Sequence, residues 1–351
     1  MSGRAAVGDV VQEAVDMSYI AGRAQCLKWP ASLDAKRWIR GDGETTASPE
    51  VRRGVQDWVM RNAGETGMNL EKEQAIIAPE LDRVETLIRT RLQRICKDDT
   101  VLDEAFHTFF RGHGKMLRPR LVLLSAFALR EEALRDPAQK ARHEALIALA
   151  TVAELVHSAS LLHDDVLDAA STRRGHPSLN ARFGNKMAIL AGDILYSQAF
   201  ELLTETFSSE ITLMLTRCVF QMCRAEVSNL VDHDFETYKA IIEAKTASLM
   251  MFCCRAGAEV VRRADDPPES IQALERFGHC FGMVYQLTDD LADGDSAVAV
   301  ANRERVAGLL AHYTDGAQTA LNAIANSAYK SNLSMLLAYV VAGTEKMLEG
   351  A

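Results

Sequence analysis

The feature that most limits the fold of this chain is a long stretch almost free of proline. Between residues 120 and 290, proline occurs only at positions 137, 177, 267 and 268. Because proline breaks the interior of a helix, the intervals between these positions can hold long helices. Alternating strand-like runs are scarce, and the sequence has no internal repeat of fixed period. The chain is therefore predicted to be all-α, a helical bundle with a central cavity.

Helical periodicity begins near residue 69, where apolar residues recur at three and four positions. The segment IIAPELDRVETLIRTRLQRI can place five apolar side chains on one helix face: Ile77, Leu81, Val84, Leu87 and Leu92. This pattern predicts an amphipathic helix at the start of the main body.

Residues 1–75 differ in composition from the rest of the chain, because they hold all three tryptophans and the Gly/Thr-rich stretch GDGETTASPE. We interpret 1–75 as an N-terminal extension of unknown role and 76–351 as the helical domain. Acidic residues in the extension count against a transit peptide, and a secretory signal pattern is lacking. No uncharged apolar run reaches the length of a membrane span. We therefore expect a cytoplasmic protein without a membrane anchor.

The charge and the cysteines exclude two broad classes. A formal net charge of -9 argues against sequence-independent nucleic-acid binding, which needs a basic surface. An anionic substrate would need locally concentrated Lys, Arg or metal. The seven cysteines form no CxxC pair and no zinc-type spacing with histidine, so reduced thiols are the simplest interpretation.

The strongest local signal is LVHSASLLHDDVLD, residues 155–168, which ends in Asp164, Asp165 and Asp168. On a helix, the first and third of these aspartates lie one turn apart on the same face. Like carboxylates at this spacing repel, and a divalent cation removes that cost. All-oxygen ligation suits Mg²⁺, which is often shared with substrate phosphate. The alternative is a solvated acidic helix face.

A second motif of the same form ends FGMVYQLTDDLAD, residues 281–293, with Asp289, Asp290 and Asp293. Two such motifs lie far apart in the sequence, and each follows an apolar helical segment. This is hard to explain if they are only solvated acidic residues on the protein surface. If they face each other across a cavity, they can hold one diphosphate through several metal ions.

Basic residues accompany the two motifs. GHGKMLRP, residues 112–119, places Lys115 and Arg118 three apart, and STRRG carries Arg173 and Arg174, whose guanidinium groups suit phosphate. His157 lies seven residues before Asp164 and can donate to a phosphate oxygen. Each of these residues, taken alone, could equally have a structural role.

The order GxGKxxRP, H-x6-DD-x2-D, RRG, AILAGDIL, KT and YQ-x2-DD-x2-D resembles the trans-polyprenyl diphosphate synthase family from about residue 75 to 295. That resemblance implies an isoprenoid-synthase-like bundle around a deep cavity, and a homodimer. It also implies a prenyltransferase reaction, in which an allylic diphosphate ionises with magnesium assistance, isopentenyl diphosphate attacks the carbocation, and a proton is lost.

The resemblance assigns roles to residues. Three magnesium ions would be held by Asp164, Asp165 and Asp168 and by the second motif, Asp289, Asp290 and Asp293. The allylic diphosphate would contact Arg173, Lys245, Thr246 and Gln286, with Lys245 catalytic beside the aspartates. Isopentenyl diphosphate would bind Lys115, Arg118, His157 and Arg174. Small residues before the first motif, Ala159 and Ser160, favour a long-chain product.

One region departs from the family pattern. A lysine-containing loop usually follows the second motif, whereas this chain has GDSAVAVANRERVAG. Arg303 or Arg305 could supply the missing charge. Two other functions stay open: a class I terpene cyclase or unusual prenyltransferase on the same scaffold, and a non-catalytic regulatory subunit.

Overall fold

The computed structural model describes residues 75–111, 114–131, 139–293 and 296–348. The predicted N-terminal extension, residues 1–75, lies outside this part of the chain except for Ala75. After a 3-10 turn at Ala75–Ile77, the first helices are α1 (Ala78–Ile95), α2 (Thr100–Phe109), α3 (Leu117–Leu129) and α4 (Lys140–Leu167). A two-stranded antiparallel hairpin follows, β1 (Thr172–Arg173) and β2 (His176–Pro177).

The second half is also helical. It contains α5 (Leu179–Phe183), α6 (Asn185–Thr206), α7 (Ser209–Asn229) and α8 (Phe235–Ile242). A π-helical turn at Glu243–Ala247 leads directly into α9 (Ser248–Val261). The remaining helices are α10 (Pro268–Asp293), α11 (Ala297–Ala301), α12 (Arg303–Asn322) and α13 (Ala328–Leu348). The all-α prediction is confirmed.

Helix α4 is the central element of the bundle. It packs against α1, α3, α6 and α9, and nearly all its residues from Leu146 to Leu162 are buried. Its length and composition would suit a membrane span, but 78% of its most apolar stretch is buried inside the protein. A core helix of a helical bundle accounts for that composition. The expected lack of a membrane anchor stays a prediction.

Helix α1 presents a slightly different face from the predicted one. Leu87 is only partly buried, and Ile88 joins Ile77, Leu81, Val84 and Leu92 in the core instead. Leu87 still packs against the core from the edge of the predicted face, and Ile88 continues that face at the same spacing.

Glycines let the helices around the site approach closely. A Cβ atom on Gly282 of α10 would lie 2.5 Å from Cα of Ala247, at the end of the π-helical turn. A Cβ atom on Gly257 of α9 would lie 2.3 Å from the carbonyl oxygen of Val122 in α3. Larger residues would push these elements apart. The close approach at Gly282 brings the π-helical turn against α10, which carries the second aspartate motif.

Candidate active site

The first aspartate motif ends α4, and its middle residue points inward. Asp165 is fully buried, and its Oδ1 accepts a 2.8 Å hydrogen bond from Nε of Arg173 and another from Nη2 of Arg173. The β1–β2 hairpin positions Arg173 for this contact. The second carboxylate oxygen, Oδ2, is buried and accepts no hydrogen bond from the part of the chain that the structure describes. Asp165 is thus charge-balanced but keeps one oxygen for a further partner.

Asp164 lies in a crowded group of charges. Nζ of Lys245, from the π-helical turn, is 3.6 Å from Oδ2 of Asp164 and also forms an ion pair with Glu226 of α7. Burial raises the pKa of Asp164 to about 6, and the negative charges of Glu226 and Asp168 add to the effect although Lys245 opposes it. The group therefore holds more negative than positive charge.

The second motif ends α10 and also has an inward-facing middle residue. Asp290 Oδ1 accepts a 2.9 Å hydrogen bond from Nε2 of Gln286, and its Oδ2 accepts one from the hydroxyl of Tyr238. Gln286 Oε1 in turn accepts a 2.7 Å hydrogen bond from the Thr246 hydroxyl. Asp289 is exposed, and the side chain of Asp293 lies outside the described residues. The structure thereby joins the second motif to the Lys245–Thr246 turn.

The carboxylates of the first motif fit a hard divalent cation in their chemistry. Within the described ranges, three or more acidic, His or Cys side chains do not converge as a ready-made metal cluster. Oδ2 of Asp165 nevertheless has no hydrogen-bond donor among the described residues, and the raised pKa of Asp164 marks negative charge that its neighbours compensate incompletely. Oxygen ligands of this kind suit magnesium that shares its coordination with a phosphate group.

A second cationic group lies deeper along α4. Burial holds the pKa of His157 well below its usual value, and the positive charges of Arg118, Arg174 and Arg173 lower it further. Nε of Arg118 is buried and has no hydrogen-bond partner among the residues described. Glu154, one turn before His157, is buried beside the same arginines. Burial raises its pKa, although the positive charges of Arg118 and Arg174 act in the opposite direction. His157 is therefore neutral beside two arginines.

The segment before α3 adds Lys115 to this side of the molecule. Gly114 lies so close to Arg174 that a Cβ atom there would be 2.8 Å from the guanidinium Nη2. Nζ of Lys115 lies 5.1 Å from the ring centroid of Tyr339 in α13. Gly112 and His113, which begin the sequence motif, lie outside the described residues.

Arg305, the hypothetical substitute for a missing lysine, is engaged elsewhere. Its guanidinium lies 3.9 Å from the ring centroid of Phe235 and forms a 2.7 Å ion pair with Glu236, both on α8. These contacts bind the start of α12 to α8. The structure therefore gives Arg305 a bracing role between two helices.

Three residues of the site were missed by the sequence analysis: Glu154, Tyr238 and Glu226, the ion-pair partner of Lys245. Glu154 is an acidic residue inside the apolar run ATVAELVHSAS, which is a usable signal for a buried functional group. Tyr238 carries no such signal, because a tyrosine on an amphipathic helix usually belongs to the core. Its contact with Asp290 spans 52 positions of the sequence.

Comparison with known proteins gives consistent matches. The family model described as Polyprenyl synthetase matches residues 99–331. Octaprenyl diphosphate synthase of Escherichia coli is 31% identical over 231 residues, which is 64% of this chain and 67% of that protein. A short chain isoprenyl diphosphate synthase of Methanothermobacter thermautotrophicus is 35% identical over 205 residues, 56% of this chain and 58% of that protein.

Solved structures share the fold. A polyprenyl synthase from Caulobacter crescentus, complexed with calcium and isoprenyl diphosphate, has a TM-score of 0.66 at 24% identity, covering 78% of this chain and 98% of that chain. Geranylgeranyl pyrophosphate synthetase from Pyrococcus horikoshii has a TM-score of 0.65 at 23% identity, with 78% and 99% covered. At these identities the likeness speaks for the fold alone.

Proposed function

This chain belongs to the polyprenyl synthetase family, and from that premise we propose that it joins isopentenyl diphosphate to an allylic diphosphate to give a longer prenyl diphosphate. The observation that carries the proposal is that the cationic side chains exceed what the first aspartate motif engages and form two neighbouring groups. One lies beside the first aspartate motif, at Lys245 and Arg173, and the other lies at Arg118 and Arg174. A terpene cyclase needs only one diphosphate site, so the second group favours the synthase.

In the proposed allylic site, the aspartates of both motifs would hold three magnesium ions: Asp164, Asp165, Asp168, Asp289, Asp290 and Asp293. Magnesium would neutralise the diphosphate and so make it a better leaving group. The donor chemistry supports this, since Asp164 carries incompletely compensated negative charge and Asp165 keeps one buried oxygen without a hydrogen bond.

The protein's own side chains bind and orient the departing diphosphate. Lys245 and Arg173 supply positive charge, and the second amide N–H of Gln286 supplies a hydrogen bond from a fixed position. Thr246 holds that amide through its one hydroxyl hydrogen, and it would contact the diphosphate by turning that hydrogen from Gln286 to a phosphate oxygen. Because Arg173 is held by Asp165 and Gln286 by Asp290, these donors are already oriented before substrate arrives. Preorganised donors at a developing negative charge lower the barrier to ionisation, and no side-chain nucleophile is required.

The proposed isopentenyl diphosphate site contains Lys115, Arg118, Arg174 and His157. The orphaned Nε of Arg118 supports an incoming anion there. Because the low pKa of His157 keeps its imidazole neutral, it contributes a hydrogen bond rather than charge.

Product length is proposed to be long. Ala159 is fully buried one turn before the first motif, and the Ser160 hydroxyl is turned back to the carbonyl oxygen of His157 at 2.8 Å. Neither side chain extends far from α4, so neither would block a growing chain.

We also propose a homodimer that forms through α6 and α7. Large apolar side chains are exposed on these helices, including Leu190, Phe220 at 61% and Val227 at 68% exposure. Several large apolar side chains exposed on neighbouring helices are consistent with an association surface. Sedimentation of Phe220→Glu should show a shift toward monomer, whereas an unchanged dimer would exclude this face.

The activity is tested by incubating the protein with magnesium, farnesyl or geranylgeranyl diphosphate, and labelled isopentenyl diphosphate. Label in longer diphosphates is the expected result. Hydrocarbon or alcohol formed without isopentenyl diphosphate would identify a cyclase, and absence of any turnover would favour the non-catalytic subunit.

A further inference from the structure

Tyr238 on α8 is a buried residue whose hydroxyl points at the second aspartate motif. Its side chain is 3% exposed, and its hydroxyl donates to Oδ2 of Asp290. Because a carboxylate only accepts hydrogen bonds, the Tyr238 hydroxyl is the donor in this contact.

The contact is one end of a chain of hydrogen bonds. Tyr238 and Gln286 donate to the two oxygens of Asp290, and Thr246 donates to the amide oxygen of Gln286. Because a carboxylate only accepts hydrogen bonds, the Gln286 amide turns Nε2 toward Asp290 and Oε1 toward Thr246. Residues from α8, the π-helical turn and α10 are thus joined through one carboxylate.

Helix α8 is itself held firmly at its N-terminal end. The Asp234 side chain caps it, accepting a 2.9 Å hydrogen bond from the backbone nitrogen of Thr237. The Phe235 ring lies 5.7 Å from the Tyr238 ring and is covered on α12's side by Arg305. Tyr238 therefore contacts Asp290 from a helix that the Asp234 cap and the Phe235–Arg305 contact hold in place.

We propose that Tyr238 is a positioning residue for the diphosphate site, acting through Asp290 to orient Gln286 and Thr246 beside Lys245. The inference rests on the proposed function and deepens it. It also gives Asp290 a role beyond that of Asp289 and Asp293: Asp290 is the acceptor that organises the donors.

The first test compares the kinetic constants of the Tyr238→Phe variant for the two substrates. Tyr238→Phe keeps the ring and removes only the hydroxyl, so kcat/KM for the allylic diphosphate should fall on the order of tenfold, the scale of one hydrogen bond to a charged group. KM for isopentenyl diphosphate should change by less than about twofold, because its proposed site lies at Arg118. Equal losses for both substrates would overturn the proposal in favour of a general structural role.

The second test asks whether Tyr238 acts through Asp290. Asp290→Asn should weaken the allylic substrate similarly, and the double variant should lose little more than the larger single loss. Additive losses would overturn the proposal. Tyr329→Phe removes another buried tyrosine hydroxyl, on α13 beside Phe127, and serves as the matched control with unchanged kinetics.

A binding readout separates this proposal from the proposed reaction. Calorimetric titration of inorganic diphosphate with magnesium should show weaker affinity in Tyr238→Phe and Asp290→Asn, and no further loss in the double variant. This result does not depend on chain elongation, so it stands even if the protein incorporates no isopentenyl diphosphate. Unchanged affinity in Tyr238→Phe would overturn the positioning role.

Discussion

The two aspartate motifs have the same sequence form and different surroundings. Each ends a long helix, α4 or α10, and each turns its middle aspartate toward the protein. Asp165 is paired with the guanidinium of Arg173 and keeps one buried oxygen without a partner. Asp290 instead has both oxygens engaged by the uncharged donors Tyr238 and Gln286.

This difference separates a charged half of the site from a hydrogen-bonded half. Lys245 also lies on the side of the first motif, 3.6 Å from Asp164. The first motif therefore concentrates charge, whereas the second orients neutral donors. Identical DDxxD spacing fixes which face an aspartate occupies on its helix, and residues distant in sequence decide what that aspartate does.

The largest expected effect tests the charged half. Asp164→Ala should lower kcat/KM by roughly a thousandfold, because interactions of this electrostatic type contribute several kcal/mol to transition-state stabilisation. Steady-state kinetics measures it, with the exposed Asp82→Ala on α1 as the control that should retain full rate. A rate close to wild type in Asp164→Ala would remove the first motif from the reaction.

The next prediction compares how much stability is lost when the partner of each middle aspartate is removed. Arg173→Met should lower the free energy of unfolding by about 2–4 kcal/mol, because it leaves the buried carboxylate of Asp165 without a charged partner. Tyr238→Phe should cost only about 1 kcal/mol, because its hydrogen bond has a neutral donor. Denaturant unfolding without ligands measures both.

The matched control for Arg173 is Arg305→Met, which removes an exposed ion pair with Glu236 and should cost under about 1 kcal/mol. Equal costs for Arg173→Met and Tyr238→Phe would contradict the distinction between the two motifs.

A smaller effect is a gain in stability that depends on pH. Because the folded pKa of Asp164 is about 6, above its ordinary value of 3.8, the folded protein binds more protons between these pH values. Stability therefore falls as pH rises through that window. Asp164→Asn should be more stable than wild type by about 1–2 kcal/mol at pH 7.5, and the advantage should vanish near pH 4. Thermal unfolding with a chelator measures it; a destabilised variant at pH 7.5 would be inconsistent.

The π-helical turn between the two halves offers a further pH test. Burial lowers the pKa of His279, but hydrogen bonds to Cys280 and Glu243 outweigh it and raise the pKa to about 9. A raised histidine pKa stabilises the fold below pH 6.5, and that stability is lost as pH rises through 9. His279→Gln should therefore cost about 1 kcal/mol at pH 6 and nothing above pH 10. A cost independent of pH would exclude the ion pair.

The smallest expected change in rate concerns product length. Ala159→Tyr should shorten the product with little loss of turnover, because it would close the channel before the first motif. Val284→Phe, the same distance before the second motif, should leave product length unchanged. If Ala159→Tyr keeps the wild-type products, other residues set the length; chromatography of the dephosphorylated products decides.

The sequence predicted the helical class and the two motifs because both depend on local spacing. Proline-free intervals predicted α4 and α10, and i, i+1, i+4 spacing predicted their clustered aspartates. It did not predict that Tyr238 would reach Asp290 or that Arg305 would brace α8, because those contacts join distant segments. Likewise, local periodicity did not show that Ile88 would be buried while Leu87 packs at the edge of the same face.

The most direct test of the central claim is whether both motifs hold one diphosphate. Calorimetry would measure binding of magnesium with an unreactive farnesyl thiodiphosphate to wild type, Asp164→Ala, Asp289→Ala and the double variant. We predict that each single change weakens binding strongly and that the double variant loses little more than the larger single loss. Additive losses, or wild-type affinity in Asp289→Ala, would contradict a shared site.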